Sequence, residues 1–280
     1  PVHFDELPGE KKKLTEVQQE IADDFIRSYD AGDRTPVLLH GITGSGKTEV
    51  YMEMIDAMLQ RGKQCIVLIP EIALTYQTLL RFYKRFGDAV SVMHSRLSAG
   101  ERYDQMKRAK RGEVQVMIGP RSALFTPFQK LGLIIIDEEH ETSYKSDSMP
   151  KYHAREVAVH LAEMTDACVV MGSATPSLEA NYRAQQGIYK KYVLSERIGD
   201  AVLPEVQIVD MRQELAGGNS SIFSRHLETA IADRLEKRQQ VMLFLNRRGI
   251  SGFVSCRACG YVMKCPHCDV SLSEHRQKMV

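Results

Sequence analysis

Gly41-Ile42-Thr43-Gly44-Ser45-Gly46-Lys47-Thr48 is a complete G-x-x-x-x-G-K-T phosphate-binding loop. It follows an apolar segment, residues 36–40, and opens a helix-like stretch over residues 47–61, which is the context that phosphate binding requires. The backbone N–H groups of such a loop bind phosphate oxygens, and the helix N-terminus adds a partial positive charge. We expect Lys47 to reach the terminal phosphates and the Thr48 hydroxyl to bind Mg²⁺. The loop therefore predicts an α/β fold that binds a nucleoside triphosphate.

An acidic motif, Asp137-Glu138-Glu139-His140, supplies the carboxylates that the loop lacks. Four apolar residues precede it, which predicts a buried parallel strand that delivers Asp137 to the metal ion. Glu138 is then placed to polarise the attacking water. An acidic surface turn is the alternative, but it does not explain why the acids follow such an apolar run. We predict Lys47, Asp137 and Glu138 as the catalytic residues.

The composition of the 280 residues is that of an ordinary globular protein. A formal net charge of +1 excludes binding to nucleic acid through the overall field, so any such binding depends on local patches. No apolar run approaches the roughly 20 residues that span a bilayer, and no secretory segment is recognisable. We expect a cytosolic protein. Because the chain starts at Pro1 and stops soon after a cysteine cluster, we also expect it to be a piece of something longer.

The periodicity between Val37 and Met171 alternates short apolar strands with amphipathic helices, which predicts a parallel sheet covered on both faces. The loop and Asp137 then both lie at carboxyl ends of strands, where open α/β sheets bind ligands. Strands are predicted near residues 37–40, 65–69, 90–93, 115–118, 132–136 and 168–171, and helices over 15–30, 47–60, 72–85, 99–110, 153–164 and 177–186.

A second unit is predicted after Ser195, with strands over 205–209 and 241–245, a flexible stretch around 217–221 and a helix over 224–237. This α/β pattern is too short to be complete. Beyond residue 249 the composition changes to cysteines and polar residues. We predict three domains: an ATP-binding lobe at 1–196, a partial second lobe at 197–255 and an incomplete zinc-binding module at 256–280.

Four of the six cysteines form two C-x-x-C pairs with the spacing of zinc knuckles: Cys256 and Cys259, then Cys265 and Cys268. Four thiolates would close a tetrahedral structural site without an open position for a catalytic water. Redox-active cysteines are the alternative. The other two cysteines, Cys65 and Cys168, lie in apolar strands and are expected to be core residues.

Three motifs in order, namely the loop, the Asp-Glu-Glu-His box and Ser173-Ala174-Thr175, resemble those of superfamily two helicases. Four further stretches narrow this resemblance to the PriA family, the bacterial primosomal proteins N-prime. These stretches are Leu-Ile-Pro-Glu-Ile-Ala-Leu-Thr at 68–75, Gly-Pro-Arg-Ser-Ala-Leu-Phe at 119–125, Tyr-His-Ala-Arg at 152–155 and Leu-Asn-Arg-Arg-Gly at 245–249. The likeness covers nearly the whole chain from about Leu14.

The resemblance implies an ATP-dependent 3′ to 5′ DNA helicase that acts in replication restart and primosome assembly in the bacterial cytoplasm. It implies RecA-like lobes, ATP, Mg²⁺ and Zn²⁺ as cofactors, and single-stranded and forked DNA as partners. Primosome proteins, single-stranded DNA-binding protein and the loading machinery of the replicative helicase are implied as protein partners. Members of the family carry eight cysteines in two zinc sites, so the two pairs here would belong either to one site or to two incomplete ones. The family's arginine finger is expected beyond the end of this chain.

The resemblance also implies roles for individual residues. Gln18 resembles the glutamine that reads adenine, with Gln19 as an alternative. Arg121 is expected to contact a DNA phosphate, and Thr75 either to contact DNA or to cap a helix. Tyr144 and Tyr152 lie in a segment that resembles the aromatic-rich loop by which these helicases sense DNA, where rings stack on unpaired bases. A coupling or DNA-binding role is implied for His140, Arg155, Ser173 and Thr175, and His140 is equally compatible with packing.

Three other functions are compatible with parts of this sequence. One is a different DNA or RNA translocase of the same superfamily. Another is an ATP-binding scaffold that recognises DNA structures and recruits replication proteins without unwinding them. A small-molecule kinase uses the same phosphate loop, but the ordered helicase motifs argue against it.

Overall fold

Seven strands form one fully parallel sheet in the order β3-β4-β2-β5-β6-β1-β7. All six strands that the sequence predicts between Val37 and Met171 are present, and β7 is an additional strand at the edge beside β1. The bounds are β1 Val37–Gly41, β2 Gln64–Leu68, β3 Val90–Val92, β4 Val116–Gly119, β5 Leu131–Ile136, β6 Cys168–Ser173 and β7 Lys190–Leu194.

These elements belong to a computed structural model that describes residues 13–199, 204–244, 256, 259, 261–268, 270, 271, 274, 275, 278 and 279. The chain divides into two compact units, Pro1–Ala201 and Val202–Val280. The parallel sheet belongs to the first unit.

Six helices cover this sheet, close to the predicted ranges: α1 Glu16–Asp30, α2 Lys47–Gln60, α3 Tyr76–Phe86, α4 Ala99–Lys110, α5 Ala154–Thr165 and α6 Leu178–Gln185. The start of α3 is the main difference, since the sequence predicts it at residue 72. The segment Glu71–Ala73 instead forms a single turn of 3₁₀-helix, and the Thr75 hydroxyl accepts a hydrogen bond of 3.2 Å from the N–H of Thr78. Thr75 is therefore the N-cap of α3, as one of its two predicted roles required.

The hydrophobic core lies on both faces of the sheet. Alternate residues of the central strands point to opposite sides, as the pleat of a strand dictates. Leu133 and Ile135 of β5 pack on one side with residues of α1, α2 and α3, while Ile134 and Ile136 pack on the other with residues of α4, α5 and α6. Strands buried on both faces read as continuous apolar runs, which is why the sequence predicts them well.

The second unit contains two helices among its described residues, α7 Met211–Ala216 and α8 Arg225–Glu236. The helix predicted over 224–237 thus forms. The strands predicted over 205–209 and 241–245 do not appear: 205–209 and the described residues 241–244 have no regular structure. A strand needs a neighbour to pair its backbone groups, and neither segment is paired in the described part of this unit. Two short antiparallel strands, β8 Glu274–His275 and β9 Lys278–Met279, complete it.

Residues 245–249, which carry one of the motifs of the resemblance, lie outside the described residues. Across the described helices, none is both long enough and apolar enough to cross a membrane.

Candidate nucleotide-binding site

A cavity of about 460 Å³ at the carboxyl ends of β1 and β5 brings the predicted nucleotide-binding residues together. Residues of the phosphate loop line this cavity together with Asp137 and Glu138. Gln18, the residue that the resemblance assigns to adenine, also lies in the lining. The residues lining this cavity are Lys13, Gln18, Ile42, Thr43, Gly44, Gly46, Lys47, Thr48, Glu49, Arg81, Asp137, Glu138 and Ile198.

The loop conformation depends on its glycines. Gly44 and Gly46 have φ values of +83° and +81°, which only glycine adopts without strain. At Gly41 an added Cβ would lie 2.7 Å from the Ser45 hydroxyl oxygen and 2.9 Å from Cγ of Lys47. The Lys47 ammonium donates a hydrogen bond of 2.7 Å to the Gly41 carbonyl oxygen. The lysine is therefore held across the loop, at the start of α2.

Gln18 joins helix α1 to the loop. Its side-chain amide donates to the Ser45 carbonyl oxygen at 2.8 Å, and its Oε1 accepts from the N–H of Thr15 at 3.0 Å. The second contact completes a capping box at the start of α1, because the Thr15 hydroxyl accepts from the N–H of Gln18. With only 2% of its surface exposed, Gln18 is fixed by both contacts at the edge of the cavity.

Asp137 and Glu138 lie directly after β5, where the buried strand ends. Burial and the neighbouring charge of Glu138 raise the pKa of Asp137 to about 6. Glu138 has a φ of 48°, in the left-handed region, where a glutamate is uncommon. This conformation turns Glu138 into the same cavity as its neighbour. A left-handed non-glycine residue at such a place is a form of backbone strain that concentrates at functional sites.

The donor set of the cavity fits a magnesium ion with a bound nucleotide. Hard oxygen ligands are present in the Asp137 carboxylate and the Thr48 hydroxyl, and both residues line the cavity. Two adjacent carboxylates, one of them buried, repel each other, and a divalent cation offsets this cost. Lys47 adds a positive charge that lowers the pKa of Asp137 against the effect of burial.

Two buried tyrosines hold Asp137, and neither contact is apparent in the sequence. The Tyr51 hydroxyl of α2 donates to the Asp137 carboxylate at 3.1 Å. The Tyr144 hydroxyl lies 2.6 Å from the Asp137 carbonyl oxygen and 3.0 Å from that of Leu68. Both rings are 1% exposed, and burial raises the pKa of each tyrosine, so both hydroxyls stay protonated as donors.

Glu139 is a buried carboxylate that joins three segments of the site. It accepts hydrogen bonds from the Arg155 guanidinium at 3.0 Å and from the N–H and hydroxyl of Ser177 at 2.6 and 2.9 Å. Arg155 lies in the first turn of α5, and Ser177 caps α6. The Arg155 side chain is 8% exposed and that of Glu139 is fully buried. The DNA-binding or coupling role of Arg155 stays a prediction, and the burial of its side chain favours coupling.

His140 and the Ser-Ala-Thr motif are in direct contact, as the resemblance implies for coupling residues. The His140 ring nitrogen Nδ1 lies 2.7 Å from the Ser173 hydroxyl oxygen, and that oxygen accepts from the N–H of Thr175 at 3.0 Å. Nδ1 also lies 3.7 Å from the Glu138 carboxylate. Ser173 is fully buried, whereas Thr175 is exposed. The chain of contacts leads from the predicted catalytic carboxylate to the surface.

A second cavity, of about 310 Å³, lies along the same edge of the sheet beyond β2, β3 and β4. Arg121 lies in it and donates from Nη1 to the carbonyl oxygens of Ser143 and Lys145, both at 2.8 Å. Arg121 thus anchors the segment that follows the acidic box. Its predicted contact with a DNA phosphate stays a prediction. The lining residues are Pro70, Glu71, His94, Ser95, Arg102, Pro120, Arg121, Ser122, Ser143 and Tyr144.

The two tyrosines of the predicted aromatic segment differ in exposure, because Tyr152 is half-buried and Tyr144 is buried. Tyr152 packs edge-to-face on Phe125 with ring centroids 5.4 Å apart, and Phe125 is 55% exposed. Tyr144, in contrast, has no exposed face on which a base could stack. The sequence-based expectation of base stacking by Tyr144 is therefore corrected: its ring belongs to the core and its hydroxyl holds the backbone of Asp137.

The cysteine pairs form two separate turns in the second unit. The N–H of Cys256 donates to the Tyr261 carbonyl oxygen at 2.7 Å, and the N–H of Cys265 makes the corresponding contact with Val270 at 2.8 Å. In the described part of the chain, no group of three or more His, Cys, Asp or Glu residues is close enough to hold a metal ion. A single tetrahedral site made by all four thiolates, including those of Cys259 and Cys268, is therefore absent among these residues.

Comparison with known proteins agrees with this geometry. The DEAD/DEAH box helicase family matches residues 15–183, which include the loop, the acidic box and the Ser-Ala-Thr motif. The replication restart protein PriA of Bacillus subtilis (strain 168) is 51% identical over 263 residues, covering 94% of this chain and 33% of the relative. PriA of Synechocystis is 54% identical over 244 residues, covering 85% of this chain and 29% of the relative. The resemblance to PriA is confirmed, and the chain spans about a third of the length of these curated relatives.

Among solved structures, a structure of RecG bound to a three-way DNA junction aligns with a TM-score of 0.50 and 22% identity. The alignment covers 68% of this chain and 25% of RecG, and it shows the shared fold alone. The parallel sheet with helices on both faces and a phosphate loop after β1 is a RecA-like helicase fold. The chain therefore belongs to the DEAD/DEAH box helicase family.

Proposed function

We propose that the chain is the ATP-hydrolysing part of a DNA helicase. The observation that carries this proposal is the single cavity in which Gln18, the phosphate loop, Asp137 and Glu138 meet. The chemistry of each group suits a different part of a nucleoside triphosphate: an amide for the base, backbone N–H groups and an ammonium for the phosphates, and carboxylates for a metal ion and a water.

Different residues of the cavity have different roles in the proposed hydrolysis. Lys47 and backbone amides of the phosphate loop hold the phosphates. The Thr48 hydroxyl and the Asp137 carboxylate would hold Mg²⁺, which neutralises charge that develops on the transferred phosphoryl group. Glu138, turned into the cavity by its left-handed backbone, orients the attacking water.

DNA is proposed to bind along the second cavity, at the same edge of the sheet. The exposed Phe125 and the half-buried Tyr152 offer aromatic surface for unpaired bases, and Arg121 offers a cation for the backbone. Phe125 takes the place that the sequence analysis assigned to Tyr144. Thr75, His140, Ser173 and Thr175 are proposed to relay the nucleotide state to this surface. His140 lies close to Glu138 of the nucleotide cavity and contacts Ser173, which contacts Thr175, while Thr75 caps α3.

The function of the whole protein is proposed from its similarity to PriA proteins, whose name is replication restart protein. We infer 3′ to 5′ translocation on single-stranded DNA, action at forks, primosome proteins as partners and a cytoplasmic location. The division into a lobe at 1–196, a partial lobe at 197–255 and a module at 256–280 stays part of this proposal. The two cysteine turns are proposed as separate half-sites for zinc, because the described residues do not bring them together.

The test is ATP hydrolysis by a chimera in which this chain replaces the matching segment of the Bacillus subtilis relative. We expect strong stimulation by single-stranded DNA. The Glu138→Gln variant should lower the stimulated rate by about 10²-fold or more, because it removes the group that orients the water while keeping its size.

Nucleotide binding by the same variant is the control, and we expect it to persist because a glutamine side chain keeps the shape of the cavity. A chimera that binds DNA but shows no DNA-stimulated hydrolysis would contradict the motor and favour a scaffold. Stimulation by RNA that exceeds stimulation by DNA would contradict the choice of DNA as substrate.

A further inference from the structure

Tyr51 occupies a position that joins three motifs of the nucleotide site. It lies one turn into α2, directly after the phosphate loop, and its ring is 1% exposed. Its hydroxyl lies 3.1 Å from the carboxylate of Asp137 at the end of β5. The same hydroxyl packs against Gly172 of β6, the residue before the Ser-Ala-Thr motif.

The absence of a side chain at Gly172 makes this contact possible. A Cβ added at residue 172 would collide with the Tyr51 hydroxyl and the ring carbon that carries it. Gly172 has no positive φ that would itself demand glycine. Glycine at position 172 therefore leaves room for the Tyr51 hydroxyl beside the buried parallel strands β5 and β6.

We propose that Tyr51 is a positioning residue for magnesium: its hydroxyl fixes the rotamer of the Asp137 carboxylate so that one oxygen is presented to the metal ion of a bound nucleotide. The inference rests on the proposed function in that Asp137 is taken as the magnesium ligand. The Asp137 carboxylate has hydrogen bonds from the Tyr51 side chain and the Glu138 backbone, and a buried carboxylate held in this way loses little orientational freedom when it binds a metal ion. Groups that hold a metal ligand in this way typically change metal affinity by about 10- to 100-fold when they are removed.

The other contacts of Asp137 favour a positioning role for Tyr51 over a role in packing alone. Tyr144 holds the main-chain carbonyl of Asp137, so the backbone is fixed independently of Tyr51. Lys47 acts on the same carboxylate through its charge, without a hydrogen bond to it among the described contacts. Tyr51 is thus the side-chain donor that determines where the carboxylate oxygens point.

The experiment is calorimetric titration of this chain with a non-hydrolysable ATP analogue, once with Mg²⁺ and once with EDTA. The ratio of the two affinities measures the contribution of the metal. For Tyr51→Phe we expect this ratio to fall about tenfold, with the EDTA affinity unchanged within about twofold. Phenylalanine keeps the buried ring, so the packing of the ring in the core is preserved and only the hydroxyl is lost.

Tyr29→Phe is the matched control. Tyr29 is also buried, in α1, and its hydroxyl has no hydrogen-bond partner among the described residues. Its removal should leave the magnesium ratio unchanged. Gly172→Ala provides a second route, since the added methyl group displaces the Tyr51 hydroxyl and should lower the ratio as Tyr51→Phe does.

An unchanged ratio in Tyr51→Phe would overturn the proposal, and so would an equal loss of affinity with Mg²⁺ and with EDTA, which indicates a structural role. Lack of nucleotide binding by the unaltered chain would overturn the proposed function as well. Normal binding with an unchanged ratio would overturn the role of Tyr51 alone.

Discussion

At the scale of single residues, the site depends on carboxylates with different surroundings. Asp137 lies against buried tyrosines, Glu138 is turned into the cavity, and Glu139 is fully engaged with Arg155 and Ser177. In the proposed function, the three consecutive acids would serve a metal ion, a water and the protein structure. The sequence shows the run of acids, but their division of roles follows from which neighbours the fold places beside each one.

Removal of the Glu139 carboxylate should destabilise the first unit. Glu139→Ala leaves the buried Arg155 guanidinium without its main partner and removes the acceptor for Ser177, so we expect the free energy of unfolding to fall by about 3 kcal/mol. Urea unfolding followed by circular dichroism measures the change. Glu163→Ala, an exposed carboxylate on α5, is the control and should change stability by under about 0.5 kcal/mol. Equal effects of the two substitutions would contradict a buried structural role.

At the scale of elements, helix α1 is joined to the edge strand β7. Asp24 of α1 pairs with the Lys190 ammonium at 2.5 Å and accepts from the Tyr192 hydroxyl at 2.7 Å. Both partners belong to β7, which the sequence analysis did not predict. These contacts position α1, and with it Gln18 at the nucleotide cavity.

The pH dependence of stability should reveal this contact. Hydrogen bonds from Lys190 and Tyr192 lower the pKa of Asp24 to about 2, from an ordinary value of 3.8. A depressed carboxyl pKa stabilises the fold above the unfolded value, and this contribution is lost as pH falls from about 4 to about 2. We expect Asp24→Asn to lower the unfolding free energy by about 1 kcal/mol at pH 7, after allowance for solvent screening, and by progressively less below pH 4.

Thermal unfolding of the Asp24→Asn variant at a series of pH values gives this comparison. Asp23→Asn is the control, because Asp23 lies on the exposed side of the same helix and contacts Gln19. A pH-independent difference between Asp24→Asn and the unaltered chain would contradict the assigned cause.

At the scale of the whole molecule, the cavity contains more of the groups needed to bind a nucleotide than of the groups needed to hydrolyse it. The described residues that line the cavity include one arginine, Arg81. Its guanidinium is paired with the Glu49 carboxylate at 2.6 Å. Charge that develops on a transferred phosphoryl group is commonly stabilised by an arginine that is free to approach it. The chain also spans about a third of its PriA relatives.

We therefore expect this chain to bind nucleotide, to hydrolyse it weakly and not to unwind DNA. Steady-state hydrolysis and a strand-separation assay on a forked duplex test this, with the chimera described above as the positive control. The Lys47→Ala variant should lose nucleotide binding. Appreciable unwinding by the 280-residue chain would contradict the expectation.

Much of the fold was predictable because its strands are buried on both faces. Apolar runs such as residues 132–136 have few other places to lie than the centre of a covered sheet. Strand β7 was not predicted because it is an edge strand without an apolar run. Its residues Lys190, Lys191 and Tyr192 are at least partly exposed. The two strands predicted in the second unit do not form among the described residues 205–209 and 241–244, because local β propensity does not form a strand without a partner.

The sequence by itself determined the phosphate loop, the acidic box and their meeting at the carboxyl edge of a parallel sheet, since both motifs follow directly from strands that must pair. Only the tertiary structure decided what surrounds each of these groups. Three contacts show this: Tyr144 with the Asp137 backbone, Tyr51 with the Asp137 carboxylate, and Arg155 with Glu139. The residues that they join are 7 to 86 positions apart in the sequence. Local patterns record which face of an element is buried, but the partner that a buried polar group finds depends on how the elements pack.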